Sequence, residues 1–175
     1  MDMRSKLSAQ DFNSLLLQSP DLPLTAFGEQ QAQGVAARMA HVRPTRIYSS
    51  PFLRALTTAQ AYSAAVGMEP LMIDELREVI PDLLNDGRRT ASLRRHYLRS
   101  FVEMAWARSG PTWRSEYRRA KHAWATITAE PGEAIVAFSH AWIISMMLLA
   151  LCRSPDWRIV SRDLDNAGIS VVVRT

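Results

Sequence analysis

The chain has a single cysteine, no apolar run near its start and no strong excess of one charge. One cysteine in 175 residues excludes a disulfide framework and suits a reducing compartment. The first twenty residues hold no apolar run longer than Leu15, Leu16 and Leu17, so we expect no secretory signal. We find no internal repeat, low-complexity segment or linker. We therefore predict a soluble, cytoplasmic protein with one domain over residues 1–175.

Charge and hydropathy place the chain among ordinary globular proteins. It has 21 basic and 17 acidic residues, a net charge of +4, and 47% of its residues are hydrophobic. That apolar content is enough to bury one sizeable core. The basic excess is too small to indicate a nucleic-acid partner by itself.

One uncharged run is long enough to be a membrane-spanning helix. The nineteen residues from Ala134 to Cys152 contain no Asp, Glu, Lys or Arg, which meets the length rule for a span. The run divides at Ser139 and His140, however. Residues 134–138 follow a Pro-Gly breaker and predict a buried strand, and residues 141–152 predict a buried helix. We favour this strand–helix unit over a membrane span.

The rest of the chain alternates in the same way. Ser50 and Pro51 indicate a helix start, a capping hydroxyl followed by proline at the first helical position, and Gly67 indicates the end of that helix. The patterns predict helices over 25–40, 51–66, 91–108, 112–129 and 141–152, and strands over 46–49, 71–73, 134–138 and 169–173. This order predicts an α/β fold, a three-layer sandwich with a mainly parallel sheet and helices on both faces.

Polar residues follow two of the predicted strands, at the sheet edge where ligands bind in such folds. Arg54 lies in the first helical turn after strand 46–49, and His140 follows strand 134–138. Both lie at a helix N-terminus, whose N–H groups and dipole favour a bound anion. Together they indicate a phosphate group. Each alone also fits a structural role, Arg54 as a solvated helix residue and His140 as a capping or core histidine.

Ordered segments of the chain resemble the histidine phosphatase superfamily, which has the phosphoglycerate-mutase-like fold. The most specific is 47–59, which is close to the family pattern S-S-P-x-x-R-A-x-x-T-A. The resemblance covers residues 21–175 and omits the family's first strand. The other segments are 23–32 (similar to L-T-x-x-G-x-x-Q-A), 76–78 (similar to L-x-E), 139–141 (the second histidine motif, with alanine in place of glycine) and 166–170 (the last loop and strand).

This resemblance implies phosphomonoester chemistry through a phosphohistidine intermediate, with no metal or other cofactor. Arginines and a second histidine hold the phosphoryl oxygens, and a carboxylic acid protonates the leaving oxygen. By position, Arg54 is a phosphate-binding arginine, His140 is the second histidine, which is catalytic and binds phosphate, and Glu78 is the catalytic acid. Because Asp74 and Glu75 lie close by, a solvated acidic turn is the alternative for Glu78.

The family's nucleophilic histidine has no counterpart at its usual place. It belongs to an R-H-G/A motif upstream of the L-T segment, whereas the four histidines here stand at positions 41, 96, 122 and 140. We interpret the first three as structural. Counting back from Leu24, Arg4 falls near the motif's arginine but is followed by Ser5 and Lys6, which is either a decayed phosphate-binding motif or a coincidence. A late start codon, a fragment and a true pseudoenzyme are the explanations that stay open.

A basic insert is the remaining feature. From Arg88 to Lys121 there are ten basic and two acidic residues. We predict a helical cap over 88–121, beside the pocket, whose charge would steer an anionic substrate. A pair of solvated helices and a nucleic-acid or anionic-surface contact are the alternatives.

Three functions are compatible with these patterns. The first is a truncated or degenerate phosphatase or mutase of the resembled family, and the second is a non-catalytic module that binds a phosphorylated ligand or a partner. The third is a nucleic-acid or anionic-surface binder that uses the insert. We expect the partner to be a phosphorylated small molecule or a phosphoprotein rather than nucleic acid, with no membrane span and with the oligomeric state open.

Overall fold

The computed structural model describes residues 19–79, 111–129, 134–152 and 154–175. Within these ranges helices and strands alternate up to a final pair of strands, with short 3-10 turns at Ser19–Asp21 and Asp74–Leu76. The elements are α1 (Ala26–Met39), β1 (Arg46–Ser49), α2 (Leu53–Val66), β2 (Leu71–Met72), α3 (Pro111–Ile127), β3 (Ile135–Phe138), α4 (Ala141–Leu151), β4 (Trp157–Ser161) and β5 (Val171–Arg174).

Strands β2, β1 and β3 form a parallel sheet in that order. The register of β1 and β3 runs from Arg46 opposite Ile135 to Ser49 opposite Phe138, and the ladder continues with the N–H of Ser50, which donates to the carbonyl of Phe138. Because the strands are parallel, their carboxyl ends meet at one edge. The residues that follow β1 and β3 therefore lie side by side.

The two faces of this sheet carry separate cores, since successive residues of a strand point to opposite faces. On one face Ile47 and Phe138 pack with α1 and α2, around the buried ring of Tyr62. On the other face Tyr48 packs with α3 and α4, around Ile143. Helices thus cover both faces, and the predicted three-layer α/β architecture is confirmed.

Helix α1 begins as the sequence predicts, because the hydroxyl of Thr25 accepts the N–H of Gly28 at 3.1 Å. Helix α2 ends as predicted at Gly67, whose φ of 73° is the left-handed conformation that glycine adopts most readily. The predicted start of α2 was wrong by two residues. The helix begins at Leu53 with Phe52 at its N-cap position, and the hydroxyl of Ser50 instead accepts the N–H of Phe52.

Strands β4 and β5 form an antiparallel pair outside the central sheet. Sequence patterns did not predict β4, and β5 begins two residues later than the predicted strand 169–173. Every side chain of β4 is half-buried or exposed. Its sequence has neither an apolar run nor a strict alternation of apolar and polar residues, which are the signals of a buried or half-buried strand.

The uncharged run divides as predicted, into β3 and α4. Among the described residues, none of the helices has both the length and the hydropathy that crossing a membrane requires.

Only the last part of the basic insert belongs to the described residues, where it forms part of α3. Helix α3 buries Trp113, Ala120 and Ala123 against the core it shares with α4, whereas Arg118 and Lys121 are exposed. The predicted helix 91–108 and the rest of the insert lie outside the described residues. The cap over 88–121 and the single domain over 1–175 therefore stay predictions.

Candidate functional site

Arg54 and His140 lie together at the carboxyl edge of the central sheet. Arg54 is in the first turn of α2, and His140 occupies the N-cap position of α4. The buried ring of Phe52 contacts both: its centroid is 5.2 Å from that of the His140 ring and 5.1 Å from the guanidinium carbon of Arg54. The juxtaposition expected from the sequence is thus present in the structure.

The imidazole of His140 is buried and hydrogen-bonded to a serine. Its side chain makes no capping bond to α4. Instead, Nε2 lies 2.9 Å from Oγ of Ser50, which in turn accepts the N–H of Phe52 at 3.2 Å. Ser50 is fully buried and follows β1 directly, so the fold itself places this hydroxyl against the ring.

Burial lowers the pKa of His140 to about 3, and the positive charges of Arg54 and Arg119 add to the effect. Low-dielectric surroundings and neighbouring cations both disfavour the imidazolium. At neutral pH the ring is therefore uncharged, and it interacts with a ligand as a hydrogen-bonding group rather than as a cation.

The carboxyl of Glu78 has its pKa shifted in the opposite direction. Burial raises the pKa of Glu78 to about 7. The shift is opposed by the N–H of Val79, which donates to Oε1 at 2.9 Å, by the charge of Arg54, and by the backbone N–H groups of Ile143 and Trp142. Near neutral pH the group therefore both accepts and releases a proton readily.

The contacts of Glu78 change one expectation about α4. We expected the N-terminus of this helix to be open to an external anion. Trp142 and Ile143 belong to its first turn, and their N–H groups interact with the carboxylate of Glu78. A carboxylate from within the chain thus already satisfies donors that a phosphate would otherwise use.

Two other elements hold the turn that carries Glu78. Arg119, on α3, donates to the carbonyls of Glu75 and Arg77 at 2.6 and 2.8 Å and forms an ion pair with Glu116. Oγ of Ser139 donates to the carbonyl of Leu76 at 2.7 Å. Glu78 therefore has a defined position beside Arg54 and the first turn of α4 rather than lying in a solvated turn.

The charge of Arg54 makes this group of residues suited to an anion. Burial lowers the pKa of the Arg54 guanidinium and the negative charge of Glu78 raises it, but an arginine keeps its proton in proteins. A guanidinium offers several donors to the oxygens of a phosphoryl group. Beside it stand a neutral imidazole and a carboxyl group that titrates near neutral pH.

The remaining histidines that the structure describes lie elsewhere. His41 is exposed and precedes β1, hence it lies near the opposite edge of the sheet. His122 is also exposed, and its Nδ1 lies 3.3 Å from a carboxylate oxygen of Glu75. Arg4 and His96 lie outside the described residues.

Sequence reasoning missed Ser50 and Arg119 as parts of this site. The hydroxyl of Ser50 was assigned to helix capping, and Arg119 was counted among ten basic residues of the insert. The S-S-P segment offered a signal for Ser50, because it follows a strand at the ligand-binding edge. For Arg119 the sequence offered no signal of this role, since the carbonyls that it binds beside Glu78 are more than forty positions away in the chain. Within the described ranges, no group of three or more His, Cys, Asp or Glu side chains is arranged to hold a metal ion.

Comparison with solved structures shows the same fold in several phosphatases. A mycobacterial glucosyl-3-phosphoglycerate phosphatase matches with a TM-score of 0.57 and 21% identity, over 78% of this chain and 72% of that one. The alpha-ribazole phosphatase of Shigella flexneri matches with a TM-score of 0.56 and 21% identity, over 77% and 69%. A mutant phosphoserine phosphatase of Entamoeba histolytica, solved with phosphoserine, matches with a TM-score of 0.56 and 25% identity, also over 77% and 69%.

Sequence comparison gives the family. No curated protein sequence matches the chain. The family model of the histidine phosphatase superfamily, branch 1, matches residues 10–175, which is nearly the whole sequence and includes every element described above. The chain therefore belongs to the histidine phosphatase superfamily.

Proposed function

We propose that this site binds the phosphoryl group of a small phosphomonoester through Arg54 and His140, with Glu78 as the proton donor to its oxygens. We propose further that the 175-residue chain binds this group without forming a phosphohistidine. The observation that carries the proposal is the convergence of a charged guanidinium, a neutral buried imidazole and a carboxyl of raised pKa at one edge of the parallel sheet.

Each group has a role suited to a phosphoryl group. The guanidinium of Arg54 neutralises the oxygens and donates hydrogen bonds to them. With a pKa of about 7, Glu78 holds its proton in an appreciable fraction of molecules at neutral pH and can donate it in a hydrogen bond to a phosphoryl oxygen. The similar structures named for glucosyl-3-phosphoglycerate, alpha-ribazole and phosphoserine support a small phosphorylated molecule as the ligand.

The absence of turnover follows from the nucleophile. No histidine precedes His41 in the sequence, and His41 lies near the opposite edge of the sheet. His140 is the one histidine placed in the site among those that the structure describes, and its Nε2 is engaged by Ser50. In-line attack needs a nucleophile that is held in one defined approach to phosphorus. Neither Arg54 nor Glu78 can replace a histidine as that nucleophile, because neither can form a phosphohistidine.

The binding half of the proposal is tested by calorimetric titration with inorganic phosphate and with phosphoserine. Arg54→Ala should weaken phosphate binding by about tenfold or more, since a hydrogen bond to a charged group contributes roughly 1.5–3 kcal/mol. Arg118→Ala is the matched control, because it removes the same charge from an exposed position on α3 and should leave binding within about twofold. Equal losses of affinity in both variants would show that phosphate binding depends only on the net charge of the protein.

The catalytic half is tested by assaying the same chain with p-nitrophenyl phosphate and with phosphoserine. We expect no turnover above background. Robust turnover that His140→Ala abolishes and His41→Ala does not would place a reaction in this site and overturn this half. Turnover that survives both substitutions would point to a contaminating enzyme.

A further inference from the structure

We propose that Ser50 is a positioning residue that fixes His140 in the neutral tautomer with its proton on Nδ1, so that the ring donates a hydrogen bond to the phosphoryl oxygens. The substrate role of His140 in this statement rests on the proposed function. The tautomer itself follows from the hydrogen bonds around Ser50 and is independent of it.

The hydrogen bonds of the Ser50 hydroxyl determine the direction of its contact with the ring. A hydroxyl has one proton and two lone pairs. The N–H of Phe52 occupies one lone pair of Ser50 Oγ. Among the described residues, Nε2 of His140 is the one acceptor within reach of the hydroxyl proton.

The opposite arrangement would leave a buried proton without a partner. If Nε2 carried the proton, Oγ would accept two N–H groups, and its own proton would have no acceptor among the described residues, although Ser50 is fully buried. Buried polar hydrogens without partners are strongly disfavoured. Ser50 therefore donates to Nε2, and the proton of the neutral ring resides on Nδ1.

The tautomer matters because the ring is uncharged. An imidazolium would donate from both nitrogens, but burial and the charges of Arg54 and Arg119 hold the pKa of His140 near 3. A neutral ring has one donor and one acceptor. With Nε2 facing Ser50, the nitrogen left for a ligand is Nδ1. Without a proton Nδ1 would repel an oxyanion, whereas with a proton it donates a hydrogen bond to the oxyanion.

The test combines the NMR spectrum of the ring with phosphate affinity, on the full chain labelled with ¹⁵N-histidine. In the wild-type protein near pH 7 the ¹⁵N shifts of His140 should show a protonated Nδ1 and a bare Nε2. Ser50→Ala should reduce or abolish that preference and weaken binding of inorganic phosphate by about tenfold, the effect of one hydrogen bond to a charged group. Ser50→Thr retains a hydroxyl and should restore both.

Ser49→Ala provides the matched control. Ser49 is the adjacent, equally buried serine, and its hydroxyl donates to the carbonyl of Ser50 rather than to the ring. This variant should keep the wild-type tautomer and affinity, with folding verified for every variant by circular dichroism.

Two outcomes would overturn the inference: an Nε2-protonated ring in the wild-type protein, or a ring whose tautomer Ser50→Ala leaves unchanged. Should Ser50→Ala fail to fold, the wild-type spectrum alone decides. A wild-type protein that shows the Nδ1 proton and binds no phosphate would support the tautomer and contradict the proposed function.

Discussion

At the scale of single residues, the pKa values of Glu78 and His140 are shifted in opposite directions from their ordinary values. The pKa of Glu78 is raised from 4.5 to about 7 by burial, and that of His140 is lowered from 6.5 to about 3. Between pH 4.5 and 6.5 the folded chain therefore holds a proton on Glu78 that the unfolded chain has released. It lacks a proton on His140 that the unfolded chain holds. The two effects on stability have opposite signs and offset each other.

Removing either group should expose the effect of the other. Glu78→Gln leaves the His140 contribution, so the slope of unfolding free energy against pH between 4.5 and 6.5 should become more positive than in the parent. His140→Asn leaves the Glu78 contribution, and the slope should become more negative. Each change approaches one proton, about 1.4 kcal/mol per pH unit at most. Urea denaturation at several pH values measures both, and parallel curves for all three proteins would contradict the assignment.

The sequence predicted Arg54 and His140 as neighbours, because the carboxyl ends of parallel strands meet at one edge of a sheet, whereas it assigned Glu78 to the same site only through the family resemblance. Their protonation states were not predictable. Those states depend on how deeply the fold buries each group and on Arg119, which reaches the site from an element remote in sequence. Local patterns carry no information on either.

At the scale of elements, two glycines with equal space around them should respond oppositely to substitution. A Cβ at Gly34 or at Gly67 would meet no atom within 4 Å, so sterics do not distinguish them. Gly34 lies inside α1 at an exposed position, and Gly34→Ala should stabilise the chain by about 0.5–1 kcal/mol. Gly67 has a φ of 73°, and Gly67→Ala should destabilise it by about 1 kcal/mol. Thermal melts compare them, and shifts of the same sign would count against this account.

The elements that the sequence predicted well are those with strong local signals. Helix α2 was predicted to end at Gly67 because glycine adopts the left-handed conformation easily, and β3 and α4 because their residues are apolar. Strand β4 was missed because its sequence has no regular apolar pattern, none of its residues being buried, and because its pairing with β5 is not visible in the local sequence. The start of α2 was misplaced by two residues, because Phe52 rather than Ser50 occupies the N-cap position, and the hydroxyl of Ser50 accepts the N–H of Phe52 just before the helix.

At the scale of the whole molecule, the two cores share one sheet and should unfold together. The tryptophans that the structure describes all lie on the α3–α4 side, where the ring of Trp113 packs on that of Trp142 and the ring of Trp124 on that of Trp157. Ile47 lies in the core on the other face. Ile47→Ala should cost about 2–5 kcal/mol, and tryptophan fluorescence should report the loss in full even though Ile47 lies on the face of the sheet opposite to the described tryptophans.

Ile143→Ala, on the tryptophan side, is the matched substitution, since Ile143 is equally buried. For each variant the transitions followed by fluorescence and by circular dichroism should coincide, as two-state unfolding of one domain requires. If Ile47→Ala left the fluorescence midpoint unchanged and split the circular dichroism curve, the two faces would be separate folding units and the single-domain prediction would be wrong.

The turn from Asp74 to Glu78 has three consecutive carbonyls, those of Glu75, Leu76 and Arg77, each bound by a side chain of another element. Because these three hydrogen bonds hold the middle of the turn in place before a ligand arrives, association loses little chain entropy there. An oxyanion at the proposed site would therefore bind beside a turn that is already ordered, and binding would not require a loop to fold. Its association should follow a single kinetic phase whose rate is limited by diffusion and charge and falls as the ionic strength rises.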